Sequence, residues 1–464
     1  MRTILTFILV LAVAEIVAQP TYLTFDEALA LSFECNPAIS ASRYAEQAAH
    51  RERQAAVGLF MPKISIKGAY THLNKDIKID LNHLKGQASG LLAPLLPEIG
   101  NALSPLLALD FSYPLQSRNS AFLGGDIVWP IFTGGKILTA NKVAKLNEDR
   151  ATNRSREVRS ALVVELVERY FGVELARRVA ALRKEVVAVV EQHLHDVMQL
   201  EKEGMAVESE RLYAEYRLAE AERELRRAEL QLSTAHQALQ TSLGVERDVA
   251  PSTPMFLLSA IEPLDYFQSM AALHNAQLAE VGHLRELSRM NVRLQRAELM
   301  PEVVAMGGML FCDHQLTSLA PRMAVGVGLN FRIFDGLRSE FRYSAARLQL
   351  RRVEAVEARA EQDIALLVES LYNRLQASLS ALPAVERSVR FAEDFLRNKR
   401  VAFREGMATS TDVVDAALNL SRAQIERLNT AYEFDLALAR LLDASGMGDS
   451  FIQYYKSATA QLIF

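Results

Sequence analysis

Only two cysteines, Cys35 and Cys312, occur in 464 residues. They form no C-x-x-C redox or zinc pattern and no disulfide framework, so they read as two unpaired thiols in a fold held by packing alone. Aromatic residues make up 7% of the chain and tryptophan occurs once. With charge spread evenly along the sequence, that composition suits long helices better than a compact α/β enzyme. Neither sign of charge dominates: 52 Lys and Arg stand against 56 Asp and Glu, a formal net charge of −4. That balance argues against a nucleic-acid partner. Beyond the N-terminus no apolar run reaches the ~18 residues of a membrane-spanning helix. If this chain crosses a membrane, strands must do it.

Catalytic signatures are equally scarce. The sequence has no H-E-x-x-H, no G-x-S-x-G and no phosphate loop, since Gly134-Gly135-Lys136 lacks the remaining residues of one. The nine histidines are scattered, and His193-x-His195 directs its rings to different helix faces, a poor metal geometry. No enzyme, cofactor or metal site is expected.

The N-terminus resembles an export signal. Met1-Arg2 supplies a positive end, Ile4 to Ala14 a largely apolar run, and Ala12, Ala14 and Ala18 small residues for cleavage, with the cut expected after Ala18. The run is shorter than the ~20 residues of a membrane anchor.

Downstream, the chain repeats itself. Ile131-Phe132-x-Gly134 recurs as Ile333-Phe334-x-Gly336, Glu203-Gly204-Met205-Ala206 as Glu405-Gly406-Met407-Ala408, and Gly244 as Gly446, all at an offset of 202. Asn36 and Met61-Pro62 recur as Asn275 and Met300-Pro301 at an offset of 239. The difference between the offsets is 37 residues of extra sequence in the first copy, between Pro62 and Ile131. The division expected is a signal peptide over 1–18, a first repeat over 19–250, a second over 251–446 and a tail over 447–464.

Each repeat carries a helix too long for a globule. No proline lies between Pro130 and Pro251, and between Lys136 and Glu203 the only glycine is Gly172. At 1.5 Å per residue this stretch extends roughly 100 Å. Leu175, Val179, Leu182, Val186, Val190, Leu194, Val197 and Leu200 step by three and four, a seam for neighbouring helices. A return helix is expected from Glu208 to Leu243. The second copy repeats the pattern over 337–404 and 410–442, with Pro383 either kinking the long helix or dividing it.

Four segments between the helices alternate like strands. Ile64, Ile66 and Tyr70 alternate with polar residues. So do Met323, Val325, Val327, Leu329, Phe331 and Ile333 with small or polar ones, over the 9–11 residues of a membrane strand. Segments 122–132 and 302–311 alternate less cleanly. A soluble sheet with one wet face shows the same period; the export signal and the lack of a covering apolar segment favour the membrane. Four strands cannot close a barrel, so copies of the chain would have to pool them.

Taken together, Leu23 to Leu29 leading to Asn36-Pro37, Pro62, Pro130-Ile131-Phe132-x-Gly-Gly, Tyr170-Phe171 and the stretch Glu405 to Ala416 resemble the TolC-like outer membrane factor family. The resemblance covers nearly the whole mature chain. It implies a mainly α fold, with long antiparallel helical hairpins forming a periplasmic tunnel and four strands contributed to a 12-stranded trimeric barrel. The implied role is an outer-membrane exit duct for efflux or type I secretion. Its partners would be a homotrimer of this chain, a periplasmic adaptor, an inner-membrane pump or secretion ATPase, and outer-membrane lipid. By the same resemblance Asp412 and Asp415 line a periplasmic gate, Gly204, Met205, Gly406 and Met407 form adaptor-contacting tips, and Ile64, Ile66, Tyr70, Val325, Val327, Leu329 and Phe331 face lipid. Ala408 stands where the family often has a gate-locking arginine. Thr409 and Asp412 also read as a helix-capping pair. The extra residues around 84–116 would lie outside the cell, as a lid over the mouth or a loop resting on its surroundings. The alternative is a periplasmic coiled-coil scaffold or adaptor without a pore.

Overall fold

The computed structural model describes residues 21–80, 82, 112–245, 248–314, 321–457 and 460–462. The expected signal segment and most of the extra residues around 84–116 lie outside the described residues. Strand β1 (Thr21–Leu23) leads into α1 (Phe25–Cys35), which starts at a capping box: the Thr24 hydroxyl accepts the Glu27 amide, and the Glu27 carboxylate accepts the Thr24 amide. Helix α2 (Pro37–Val57) begins on the proline that follows Asn36, where the missing N–H costs nothing. Strands β2 (Lys63–His72), β3 (Ile77–Asp80), β4 (Ser112–Gln116) and β5 (Asn119–Phe132) precede α3 (Lys136–Lys202), a helix of 67 residues, and its return helix α4 (Glu208–Leu243).

The second repeat keeps the same order. After β6 (Val249–Pro251) and β7 (Phe256–Leu258) come α5 (Leu264–His274), α6 (Ala276–Ala297), β8 (Glu302–His314), β9 (Met323–Asn330) and α7 (Arg338–Arg404), again 67 residues. The chain closes with α8 (Ser410–Ala444), α9 (Phe451–Tyr455) and β10 (Ala460–Leu462). Helix α7 runs through Pro383 without dividing. The packing seam of a long helix supplies more stability than one lost backbone bond removes.

Two compact units emerge, each drawn from both repeats: residues 1–49, 147–286 and 352–464 form one, residues 50–146 and 287–351 the other. In the second unit, β2, β5, β8 and β9 make an antiparallel sheet in that order, with β3 and β4 paired beside it. The strand expected to run to Ile333 stops at Asn330. That residue pairs with Glu302, the first residue of β8, and Pro301 before it has no N–H to extend the ladder. Phe331 and Ile333 therefore lie beyond the strand, both exposed.

Aromatic rings set the core of the first unit. Phe25 meets Tyr170 edge-on at 5.5 Å, Phe171 in a stack at 5.6 Å and Phe451 at 5.3 Å. The buried Tyr170 hydroxyl donates to the Leu23 carbonyl at 2.6 Å and accepts the amides of Ser252 and Thr253 at 3.0 and 2.9 Å. One phenol thus ties the parallel ribbon β1–β6 to the long helix.

The internal repeat is written into the turns of this unit. The Asn275 side chain donates to the Ala444 carbonyl at 2.7 Å and accepts the Gln277 and Leu278 amides at 2.9 Å. Asn36, its counterpart, donates to Ser242 at 2.9 Å and accepts the Ala38 amide at 2.8 Å. Gly446 ends α8 at φ +72°, and a Cβ there would sit 2.4 Å from the His274 carbonyl. Both left-handed φ and close approach demand glycine. Elsewhere Asp435 is wholly buried, with the Phe256 amide as the donor to one oxygen at 3.4 Å and no partner for the other. Burial pushes this carboxyl well above the usual carboxylate range.

Asn275→Ala is expected to lower stability by roughly 2 kcal/mol, because it uncaps α6 and leaves a buried carbonyl unpaired; thermal melts of the purified protein check this. A raised Asp435 pKa in the folded state means stability is full below the unfolded value and falls as pH rises toward the folded one. Asp435→Asn should therefore melt above wild type at about pH 8, with the gain gone by about pH 4.

Candidate functional site at the helical turns

Each long helix ends in the same stop. At the first turn, Gly204 donates to the Glu201 carbonyl at 3.0 Å and Met205 to Leu200 at 2.8 Å; at the second, Gly406 donates to Phe403 at 3.0 Å and Met407 to Ala402 at 2.8 Å. These are paired Schellman closures, and they need φ of +73° and +71° at the two glycines. The methionines next in the chain turn outward, 66% and 77% exposed, where this motif often packs a hydrophobic residue back on its helix. No hydrogen bond links one turn to the other among the described residues.

The two turns open their return helices differently. Val207 precedes α4 with no side-chain cap. Thr409 caps α8 with a full capping box: its hydroxyl accepts the Asp412 amide at 3.3 Å, and Asp412 Oδ2 accepts the Thr409 amide at 2.9 Å. Asp412 Oδ1 also takes Lys399 Nζ at 3.1 Å, which joins α7 to α8. The Thr409 backbone bond, with Lys399 behind it, holds this carboxyl below its ordinary range.

Asp415, one turn further on, accepts Arg217 Nη2 of α4 at 2.7 Å. Arg217 in turn bonds Glu220 at 2.9 Å and lies over the Tyr213 ring. So the expected pair does share one helix end, yet each carboxylate has its own cation. Beneath them Val414 is buried against Val186, Val187, Val190 and Ala221 of the first hairpin. Ser410, the first residue of α8, is hydrogen-bonded to His193 Nε2 of α3, and the Phe403 ring of α7 stands edge-on to that imidazole at 5.9 Å. Sequence reasoning missed Arg217, Lys399 and the His193–Ser410 contact. The first and last join residues 198 and 217 positions apart, across two hairpins, with no local pattern to reveal them.

Within the sheet, register gathers the expected strand residues on one face. Ile64 lies opposite Ile127, Ile127 opposite Gly307 and Gly307 opposite Val325; Ile66 and Tyr70 continue that row on β2, Val327 and Leu329 on β9. Apart from Gly307, all are large, apolar and exposed: Ile64 75%, Val325 78%. The opposite face carries the Lys67–Asp126 ion pair at 2.9 Å and small residues such as Gly326 and Gly328. Strands β2 and β9 are the edges of this sheet, each without a strand partner on its outer side among the described residues.

Residues 268–447 match the family model described as outer membrane efflux protein. The chain is 24% identical over 211 residues to the alkaline protease secretion protein AprF of Pseudomonas aeruginosa, covering 44% of this chain and 43% of that protein. It is 25% identical over 190 residues to the outer membrane protein TolC of Vibrio cholerae, covering 38% and 42%. These alignments thus span about two fifths of the curated relatives' length. The fold is similar to that of the Campylobacter jejuni CmeC outer membrane channel, with a TM-score of 0.73, 12% identity and coverage of 93% of this chain and 89% of that one.

Thr409→Ala is expected to loosen the first turn of α8 by about 1 kcal/mol, which speeds amide exchange there about fivefold. Hydrogen-exchange mass spectrometry over 409–415, with Glu208 to Leu212 as the uncapped reference, reads it directly.

Proposed function

We propose that this chain, of which residues 268–447 match the outer membrane efflux protein model, is the protomer of a passive outer-membrane exit duct in an efflux or type I secretion assembly. The observation that carries this reading is the four-stranded sheet, with an apolar outer face and two open edges. In hydrocarbon, each unpaired backbone group at such an edge costs several kcal/mol. Lipid therefore accepts these strands only when β9 of one copy pairs with β2 of the next. Three copies close a barrel of twelve strands, with Ile64, Ile66, Tyr70, Val325, Val327 and Leu329 toward lipid and Phe331 at its rim.

The helical hairpins then serve as the periplasmic tunnel. Asp412 and Asp415 supply two carboxylates per copy to its narrow end, each balanced by its own cation, Lys399 and Arg217. The outward Met205 and Met407, on the Gly204 and Gly406 turns, offer flexible apolar contact to a periplasmic adaptor. An inner-membrane pump or secretion ATPase supplies the energy and sets the cargo. A coiled-coil scaffold without a pore leaves the apolar outer face of the sheet without a role.

Purified mature protein is expected to extract only with detergent, to run as a heat-modifiable trimer and to conduct ions in planar bilayers. Val327→Lys should cost about 2–4 kcal/mol of insertion energy and reduce trimer yield in the outer membrane. A water-soluble monomer would end this reading.

A further inference from the structure

His193 has no part in the duct as described so far, yet it sits where the two hairpins meet. Its side chain is 4% exposed, on α3 of the first hairpin. From the second hairpin it meets two groups, the Ser410 hydroxyl that opens α8 and the Phe403 ring near the end of α7. Neither carries charge. On its own helix Asp196 acts on it electrostatically, and Asp196 is itself bonded to Gln192 at 2.9 Å. The charged side chains that flank its contacts on the second hairpin, Lys399 and Asp412, are paired with each other. A neutral imidazole with Nε2 as acceptor fits this place: it receives the Ser410 O–H and buries an uncharged ring against phenyl carbon. An imidazolium fits less well: Ser410 Oγ must turn from donor to acceptor, burial penalises the ring's charge, and that charge adds to the positive end of α8.

We propose that the His193–Ser410 contact is a proton-sensitive pin between the hairpins, which holds the two turns together while His193 is neutral and releases them when it is protonated. This rests on the reading of the turns as the narrow end of a duct. Burial pulls the imidazole below its ordinary value, so the pinned state binds fewer protons than the released one. Pinning is full above about pH 6.5, the value for a solvated imidazole, and weakens as pH falls below it. Each pH unit of descent multiplies the released population by up to about tenfold, until the pinned-state value is reached.

The test uses full-length protein in detergent with Cys35→Ser and Cys312→Ser, spin-labelled through Met205→Cys and Met407→Cys. Both methionines are exposed, so labels there leave the packing intact. Between about pH 7.5 and about pH 5.5 the inter-label distance distribution is expected to shift to longer values, with about a tenfold rise in the separated fraction. His193→Gln, which keeps a hydrogen bond to Ser410 and cannot titrate, should abolish the shift. An unchanged wild-type distribution, or an acid response that survives in His193→Gln, overturns the proposal; the wild-type arm decides even where the variant fails to assemble. Bilayer conductance of the same proteins separates the two claims. Turns that part in acid without a rise in conductance leave the pin standing and remove the duct reading of the turns.

Discussion

Backbone groups at the rim of a sheet need partners, and hydrocarbon offers none. The strand order β2-β5-β8-β9 leaves two such rims, and the apolar outer face keeps the sheet from being at ease in water. If the sheet lies in a bilayer, as proposed, association between copies is a condition of its being there. The long helices obey the same logic more weakly. An antiparallel pair buries a narrow seam, so apolar residues such as Phe391 and Leu230 remain exposed on a single chain.

Duplication gives the molecule its economy. One asparagine that caps the second helix of each repeat also clasps the carbonyl end of that repeat's return helix, at Asn36 with Ser242 and at Asn275 with Ala444. The four glycine stops at Gly204, Gly244, Gly406 and Gly446 share one left-handed conformation within a few degrees. The copies diverge at the start of their return helices. The second return helix opens on a capping box that carries Asp412, while the first opens on Val207 without one.

Much of this was legible in the sequence because its signals are local and repeated. Proline and glycine mark the ends of helices, period-two alternation marks β2 and β9, and the Thr409–Asp412 spacing marks a cap. The ribbons β1–β6 and β7–β10 escaped notice because three-residue strands carry no periodicity. The pairing of β3 with β4 escaped because it brackets residues that offer no strand pattern of their own. Contacts across hairpins, Arg217 to Asp415 above all, depend on how helices dock, which no spacing along one helix encodes.

Pro383 also has a mechanical meaning. Its ring nitrogen has no hydrogen to offer, so the Leu379 carbonyl one turn earlier lacks the bond that stiffens every other turn around it. The first long helix has Ala181 at the matching place and keeps its ladder whole. Two arms of equal length are therefore unequal springs: one a continuous strut, the other jointed within its lower half. Any bending of the hairpins concentrates at that joint, so the helix that leads into the turn before Asp412 and Asp415 yields first.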